Sequence, residues 1–281
     1  LLEKGYKVSI FDSLINSKKE TINRIKNLLK IKEPELIQNF KFIEGDLREI
    51  ESVRKLFNIN HKSKSKFDAV IHLAGLKAVG ESVSKPLEYW ECNVFGTLNL
   101  LKIMEENNCK IIIFSSSATI YSQISNKLIN ENEIIKPQNP YGSTKAAIEQ
   151  ILFEIYKSSI PSWKIINLRY FNPIGAHPSG LIGEEPVGKP NNIFPIILQV
   201  AANNSQIFNI YGDDWDTHDG TGVRDYIHIV DLSNGHVRAL EFLLENQPQY
   251  LSLNLGTGIG TSVLELIKSF EIANKIKIPY N

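Results

Sequence analysis

Cysteine is scarce in this sequence of 281 residues. Only Cys92 and Cys109 are present, and no CxxC pair or cysteine–histidine spacing typical of a metal site accompanies them. A resident metal is therefore not predicted. The lack of a disulfide framework favours a reducing compartment, so we expect a cytoplasmic protein.

An excess of charge of one sign is also lacking. The 31 basic and 31 acidic residues give a formal net charge of zero, which predicts neither a nucleic-acid partner nor an anionic membrane surface. The lysine-rich run from Lys62 to Lys66 is interpreted as a solvated loop. No apolar run reaches the roughly 18 residues of a membrane-spanning helix, and no charged-then-apolar leader is present, so neither a membrane span nor a signal peptide is expected.

What is present is an α/β pattern of ordinary composition, with 42% hydrophobic and 22% charged residues. Short β-prone apolar runs alternate with helical patterns, which predicts a Rossmann-type doubly wound parallel sheet. The alternation weakens after Gly175, where glycine, proline and asparagine accumulate. We therefore expect a dinucleotide-binding domain at 1–174 and a smaller α/β substrate-binding lobe at 175–281, with the boundary near 172 to 176.

The most informative stretch begins with an apolar run at 110–114 that ends in three serines, Ser115 to Ser117. Farther on, Tyr141 and Lys145 are four residues apart, so on a helix they lie on the same face. A nearby ammonium favours the phenolate and lowers a tyrosine pKa from its usual value of about 10. The Tyr-x-x-x-Lys spacing alone is more typical of a solvated helix, but the strand that ends in serines favours a catalytic site.

Polar or small residues follow three other predicted strands. Asp12 ends one strand and could bind ribose hydroxyls or form a turn. Asp46 follows Gly45 at the end of another, where it could face a ligand or cap the next helix. A buried strand also runs into Leu73, Ala74 and Gly75, where a ligand could lie against the backbone.

Several segments resemble the extended short-chain dehydrogenase/reductase family and, within it, the sugar-nucleotide epimerases. They are DSLINS at 12–17, HLAGLKAVGES at 72–82, NVFGT at 93–97, YGSTK at 141–145, RYFNPIGAHPSG at 169–180 and GTGVRDYIH at 220–228. The resemblance implies a catalytic triad of Ser117, Tyr141 and Lys145, with bound NAD as the cofactor.

The resemblance also implies two sets of binding residues. Those for NAD are Asp12, Ser13, Asn16, Ser17, Asp46, Leu47, Leu73, Ala74, Gly75, Lys77, Asn93, Ser115, Tyr141, Lys145 and Phe171. Those for the nucleotide sugar are Ser117, Asn172, Asn192, Ile193, Asn209, Tyr211 and Arg224. Arg224 is the phosphate candidate, since a guanidinium can pair with two phosphate oxygens at once.

The implied reaction is the reversible epimerisation of UDP-glucose and UDP-galactose at C4 through a 4-keto intermediate, in a homodimer formed through helices at 88–106 and 143–157. A nucleotide-sugar 4,6-dehydratase is an alternative, but those enzymes resemble one another in placing Thr-Asp-Glu where this sequence has Ser117-Ala118-Thr119. A nucleotide-binding fragment without turnover is the other alternative.

Two parts of the family pattern are absent from the 281 residues: the first strand with its GxxGxxG turn, which places the cofactor pyrophosphate at a helix N-terminus, and a segment after Asn281. A parallel sheet without a central strand leaves apolar surface and backbone groups unpaired. We therefore expect this polypeptide by itself to be unstable or inactive, although the full-length protein would be an epimerase.

Overall fold

A computed structural model describes residues 1–62, 66–122, 128–158, 162–185, 188, 190–202 and 207–281, with the side chains of 59–62 excepted. The chain forms two compact units. Unit 1 contains Leu1–Tyr170 and Ser233–Leu255, and unit 2 contains Phe171–Leu232 and Gly256–Asn281. The predicted lysine-rich loop lies largely outside the described residues.

The elements alternate along the chain as the sequence predicts. The strands are β1 (Val8–Asp12), β2 (Phe40–Glu44), β3 (Val70–His72), β4 (Ile111–Ser117), β5 (Lys164–Tyr170), β6 (Asn172–Ile174), β7 (Val223–His228), β8 (Tyr250–Leu255) and β9 (Gly260–Ser262). The α-helices are α1 (Glu20–Lys32), α2 (Ile50–Lys62), α3 (Val79–Ser84), α4 (Pro86–Tyr89), α5 (Gly96–Glu106), α6 (Pro140–Ser158), α7 (Ile193–Ala201), α8 (Ile229–Glu245) and α9 (Val263–Asn274). Shorter 3-10 helices span Leu2–Lys4, Pro34–Asn39 and Ala118–Ile120.

The strands of unit 1 are parallel. β1 pairs with β2, and β3, β4, β5 and β8 form a four-stranded sheet in that order. In this sheet His72 of β3 lies opposite Phe114 of β4, and Ser117 of β4 lies opposite Tyr170 of β5. In unit 2, β6 is parallel to β7, and β7 is antiparallel to β9.

Helices cover both faces of the four-stranded sheet. Side chains alternate along a strand, so Ile112 and Phe114 of β4 pack in one cluster with residues of α2, α5 and α6. Ile113 points the other way, into a cluster with residues of α8. The doubly wound α/β arrangement predicted from the sequence is confirmed. Within the described ranges, no helix is both long and apolar enough to cross a bilayer.

The helical segment from Pro86 to Glu106 contains an irregular turn. Residues Trp90–Phe95 are π-helical and lie between α4 and α5. A π-turn bonds residue i to i+5 instead of i+4, which rotates the buried face, so apolar residues at regular helical spacing are not all buried in the first half of the segment. Leu87 and Trp90 are 81% and 41% exposed, whereas Asn93 is buried.

The boundary predicted near 172 to 176 lies beside Phe171, where the chain enters unit 2. The prediction placed all of 175–281 in one lobe, but Ser233–Leu255 belongs to unit 1. The physical reason is that α8 contributes apolar side chains to the core of unit 1 and β8 pairs with β5. In unit 2, Phe208 forms a single bridge with Tyr280.

Candidate active site

One face of α6 lies against the carboxyl end of β4. Tyr141, Lys145 and Glu149 are spaced by four residues on this helix and are only 7%, 4% and 3% exposed. Local sequence explains where the helix begins, since Pro140 is favoured at a first helical position and the Asn139 side chain accepts from Gly142 N at 2.8 Å. The predicted helix and the shared face of Tyr141 and Lys145 are confirmed.

Lys145 is fixed by the backbone of β4. Its Nζ donates to Ser115 O at 2.8 Å and lies 4.8 Å from the centroid of the Phe114 ring and 5.8 Å from that of Tyr141. Burial lowers the pKa of Lys145 from 10.5 to about 8, because the charged form is poorly solvated there. The ammonium is still protonated at neutral pH.

The pKa of Tyr141 differs from the expectation. Burial raises the pKa of Tyr141, the nearby Tyr170 raises it further, and a hydrogen bond with Ser117 lowers it in part. The net lowering of this pKa that the sequence predicts is not found, because desolvation dominates and the Lys145 ammonium is directed at Ser115 O.

The serines of β4 have separate partners. Ser115 Oγ and Tyr170 Oη are 2.6 Å apart, and Ser117 Oγ accepts from Thr119 N at 3.2 Å and Thr119 Oγ1 at 3.0 Å. The turn after Ser117 touches the first turn of α6, since a Cβ on Gly142 would lie 2.6 Å from Thr119 O. This close approach places Ser117 beside the Tyr141 end of α6.

Asn93, in the π-helical turn, joins the loop after β3 to α6. Its Oδ1 accepts from Leu76 N at 2.7 Å, and its Nδ2 donates to Leu76 O and to Thr144 Oγ1, each at 3.0 Å. Gly75 precedes this contact with φ 140°, and a Cβ there would lie 2.8 Å from Asn93 Oδ1. Functional sites often contain such π-turns.

The ends of β1 and β2 carry the two predicted acidic residues. Asp12 Oδ1 accepts from Leu14 N at 2.7 Å and from Ser17 Oγ at 2.9 Å. Asp46 is held by the Arg48 side chain, with Nη2 to Oδ2 at 2.7 Å, and this hydrogen bond lowers the pKa of Asp46. In the turn after β1, Ser13 is half-buried and Asn16 is exposed; Leu47 after β2 is half-buried.

The loop after β3 is open on its outer side. Leu73 is 62% exposed, and Ala74 and Lys77 are exposed as well. In doubly wound sheets nucleotides bind at the carboxyl ends of the strands. Asp12 at the end of β1 has a carboxylate that could bind ribose hydroxyls, and the exposed Leu73 after β3 could contact a ring. The Lys145 ammonium beside β4 could bind a nicotinamide ribose. These residues therefore fit a dinucleotide.

Unit 2 brings together part of the predicted nucleotide-sugar set. Ile193 at the start of α7, Ile210 and Tyr226 of β7 belong to one apolar cluster, which places the neighbouring Asn192 and Asn209 at its margin. Asn192 Nδ2 donates to Glu184 Oε1 at 2.6 Å. Tyr226 of β7 also lies opposite Asn172 of β6.

Two other residues of this set are open to solvent. Tyr211 is 88% exposed, and Arg224 is exposed with its Nη1 donating to Val223 O at 2.7 Å. Phe171, predicted for the cofactor, is half-buried and packs against Gly256. The roles of all these residues stay predictions.

Comparison with known proteins shows close relatives over nearly the whole chain. UDP-glucose 4-epimerase 2 of Oryza sativa subsp. japonica is 48% identical over 280 residues, or 99% of this chain and 66% of that protein. The bifunctional UDP-glucose 4-epimerase and UDP-xylose 4-epimerase 3 of Arabidopsis thaliana is 49% identical over 280 residues, or 99% of this chain and 77% of that protein. The chain belongs to the UDP-glucose 4-epimerase family.

Solved structures agree with this membership of the UDP-glucose 4-epimerase family. The Bifidobacterium longum UDP-glucose 4-epimerase, in complex with NAD+ and UDP, has a TM-score of 0.90 and 45% identity, with 100% of this chain and 80% of that chain covered. A family model described as GDP-mannose 4,6 dehydratase also matches residues 1–275. This epimerase-family chain has the 3-10 turn Ala118–Ile120 directly after Ser117, and the turn contains no carboxylate.

The structure adds residues to this epimerase-family site that sequence reasoning missed. Thr144 binds Asn93, and Glu149 continues the Tyr141 and Lys145 face by one more turn. The spacing of four could have indicated Glu149, whereas its partner Arg169 becomes evident only when β5 is placed beside α6. Among the residues that the structure describes, no group of three or more His, Cys, Asp or Glu side chains is placed to hold a metal ion.

Proposed function

We propose that this chain interconverts UDP-glucose and UDP-galactose by inverting C4 through a 4-keto sugar, with NAD as the bound cofactor. The observation that carries the proposal is the buried Tyr141 and Lys145 face of α6, set against Ser115 to Ser117 in a chain of the UDP-glucose 4-epimerase family.

The roles follow from chemistry and from the contacts in unit 1. When bound, NAD+ would supply a positively charged nicotinamide ring that accepts the C4 hydride and returns it. Positive charge near a phenol favours the phenolate, and the protonated Lys145 adds such a charge on the face of α6 that carries Tyr141. Tyr141 then takes the proton of the 4-hydroxyl, and Ser117 hydrogen-bonds the 4-oxygen.

We assign the remaining predicted residues by unit. In unit 1, Asp12, Ser13, Asn16, Ser17, Asp46, Leu47, Leu73, Ala74, Gly75, Lys77, Asn93 and Ser115 would hold NAD. In unit 2, Phe171 would contact the nicotinamide, and Asn172, Asn192, Ile193, Asn209, Tyr211 and Arg224 would hold the UDP-sugar. The exposed guanidinium of Arg224 suits a diphosphate.

Turnover by the 281-residue chain tests the proposal. The purified chain is incubated with NAD+ and UDP-galactose or, because the Arabidopsis relative is named for it, UDP-xylose, and the products are separated by chromatography. The proposal predicts UDP-glucose from UDP-galactose, against the expectation from the sequence that this polypeptide alone is inactive. We expect Tyr141→Phe to abolish its formation while UDP binding persists, whereas Tyr156→Phe, a matched change on the same helix, should leave turnover intact.

Each other outcome has a distinct meaning. A 4-keto-6-deoxy product would replace the proposal with the dehydratase alternative. Binding of NAD and UDP without turnover would support the nucleotide-binding alternative and the expectation that this polypeptide alone is inactive. Loss of both binding and turnover in a folded chain would overturn the proposal, and turnover would overturn the expectation of inactivity.

We also propose a cytoplasmic homodimer that acts in galactose metabolism. Large apolar side chains are exposed on or directly beside the helical segments where the sequence analysis places the dimer contact, with Leu87 81%, Trp90 41%, Phe95 47% and Phe153 37% exposed. Burial of such a patch is a common driving force for association. Light scattering should give twice the chain mass, and Leu87→Glu should shift it toward the monomer; a monomeric parent chain would contradict the dimer.

A further inference from the structure

The third residue on the buried face of α6, Glu149, is used by none of the roles above. Its Oε1 accepts from Ser116 Oγ of β4 at 2.5 Å. Arg169 of β5 donates to the same carboxylate, from Nε to Oε1 at 3.0 Å and from Nη2 to Oε2 at 2.6 Å. The pair is 3% and 5% exposed. One carboxylate therefore joins α6 to both central strands.

Arg169 extends this network to the segment that follows the catalytic strand. Its Nη1 donates to Tyr121 Oη at 3.0 Å and to Glu131 O at 3.1 Å. Tyr121 Oη in turn donates to Asn254 Oδ1 of β8 at 2.7 Å. The elements that meet at Arg169 include the two that carry Ser117, Tyr141 and Lys145.

Because Ser116 lies between Ser115 and Ser117 on β4, its contact with Glu149 also affects the positions of these two residues. Successive side chains on a strand point to opposite faces, so Ser116 reaches Glu149 while Ser115 Oγ contacts Tyr170 Oη. A shift of β4 along α6 at Ser116 would also move Ser115 O, which holds Lys145, and Ser117. The contact at Glu149 thus sets the register of the whole serine run against the helix.

A stabilising role alone explains this pair poorly. Replacement of a buried ion pair by apolar residues of similar volume is often neutral or stabilising, because the pair must be desolvated. Ile148 and Leu152, which flank Glu149 on α6, are already part of the apolar core. An apolar residue at 149 would therefore suit packing, but it could not specify where β4 sits.

We propose that Glu149 and Arg169 are positioning residues, which act through Ser116 to hold the end of β4 in the register that brings Ser117 to Tyr141 and Ser115 O to Lys145. The kinetic part of this proposal rests on the proposed epimerase function. Neither residue needs to touch substrate or cofactor.

The first experiment uses a conservative pair of variants. Ser116→Ala removes the hydroxyl that binds Glu149, and Ser252→Ala removes the hydroxyl that accepts from Asn167 Nδ2 at 3.0 Å between β5 and β8. Since misplacement of catalytic groups by about 1 Å can cost up to a hundredfold, we expect Ser116→Ala to lower kcat for UDP-galactose about tenfold with KM unchanged. Ser252→Ala should leave kcat unchanged; equal effects of the two would overturn the proposal.

A second variant separates position from stability. The double variant Glu149→Met and Arg169→Met removes both charges at similar volume, so we expect urea unfolding at least as resistant as that of the parent chain. Its kcat should nevertheless fall by about tenfold or more. Full kcat in this folded variant would overturn the proposal.

A spectroscopic measurement tests the positioning role of the Glu149 contact without turnover. With tyrosine labelled with ¹³C at Cζ, the resonance of Tyr141 is identified by its loss in Tyr141→Phe. The proposal expects this resonance to move or split in Ser116→Ala and to stay in place in Ser252→Ala. An unmoved resonance in Ser116→Ala would overturn the positioning role, whereas absence of turnover in the parent chain would contradict only the proposed function.

Discussion

The buried ammonium of Lys145 should be visible in the pH dependence of stability. Burial lowers the pKa of Lys145 to about 8 from 10.5. Between these values the unfolded chain binds more protons at this site than the folded chain, so the free energy of unfolding rises with pH. A difference of about 2.5 pKa units, at about 1.4 kcal/mol each, gives a total rise of about 3.5 kcal/mol, of which about 3 kcal/mol falls between pH 7 and 10.5.

The variant that tests this pH dependence of stability is Lys145→Met, which keeps a long side chain but has no charge. Unfolding in urea is measured for the parent chain and the variant from pH 7 to 10.5, and subtraction removes the contribution of other titrating groups. We expect the parent chain to gain about 3 kcal/mol over the variant across this range. At pH 7 the two stabilities should be similar, because loss of the buried charge offsets loss of its bond to Ser115 O.

The control for Lys145→Met is Lys157→Met, a change at an exposed lysine of the same helix. It should show no such gain relative to the parent chain. A pH-independent difference between the parent chain and Lys145→Met would refute the reasoning, since it would mean that the ammonium is not desolvated at its site.

Three further predictions concern the contacts around α5 and β3. Asn93→Ala leaves Leu76 N and O without their partner, so the free energy of unfolding in urea should fall by about 3 kcal/mol. NAD affinity should fall in Asn93→Ala but not in Asn107→Ala, whose side chain donates to Ile103 O at the end of α5; equal NAD affinities of the two variants would contradict this. Gly75→Ala forces a Cβ toward Asn93 at positive φ and should lower the free energy of unfolding by about 1–3 kcal/mol. An unchanged midpoint of urea unfolding would contradict this prediction. Burial lowers the pKa of His72 to about 3 from 6.5. The free energy of unfolding of the parent chain should therefore fall by about 2 kcal/mol from pH 7 to 5 relative to that of His72→Gln. The same pH dependence of stability in both proteins would contradict this.

The sequence predicted those parts of the fold that depend on local periodicity. The apolar run before Ser115 is β4, and the spacing of Tyr141 and Lys145 is that of α6, because a strand and a regular helix each impose their period on the chain. The class of fold followed from the alternation of the two patterns.

Features that arise from long-range packing could not be predicted from the sequence. The π-turn at Trp90–Phe95 changes the helix phase, and in this segment Asn93 is buried while Leu87 and Trp90 are exposed. The pKa of Tyr141 depends on how much of the protein covers it, which local sequence does not reveal. The pairing of Glu149 with Arg169 joins residues 20 apart in the chain through the packing of α6 on β5.

The most direct test of the central claim follows the hydrogen on C4 of the sugar. The chain is incubated with NAD+ and UDP-galactose that carries deuterium at C4, and the UDP-glucose formed is examined by mass spectrometry and NMR. If a hydride leaves C4 and returns to its other face, the product retains deuterium at C4. Deuterium lost to solvent, or UDP-glucose formed at an unchanged rate by Tyr141→Phe, would contradict the account.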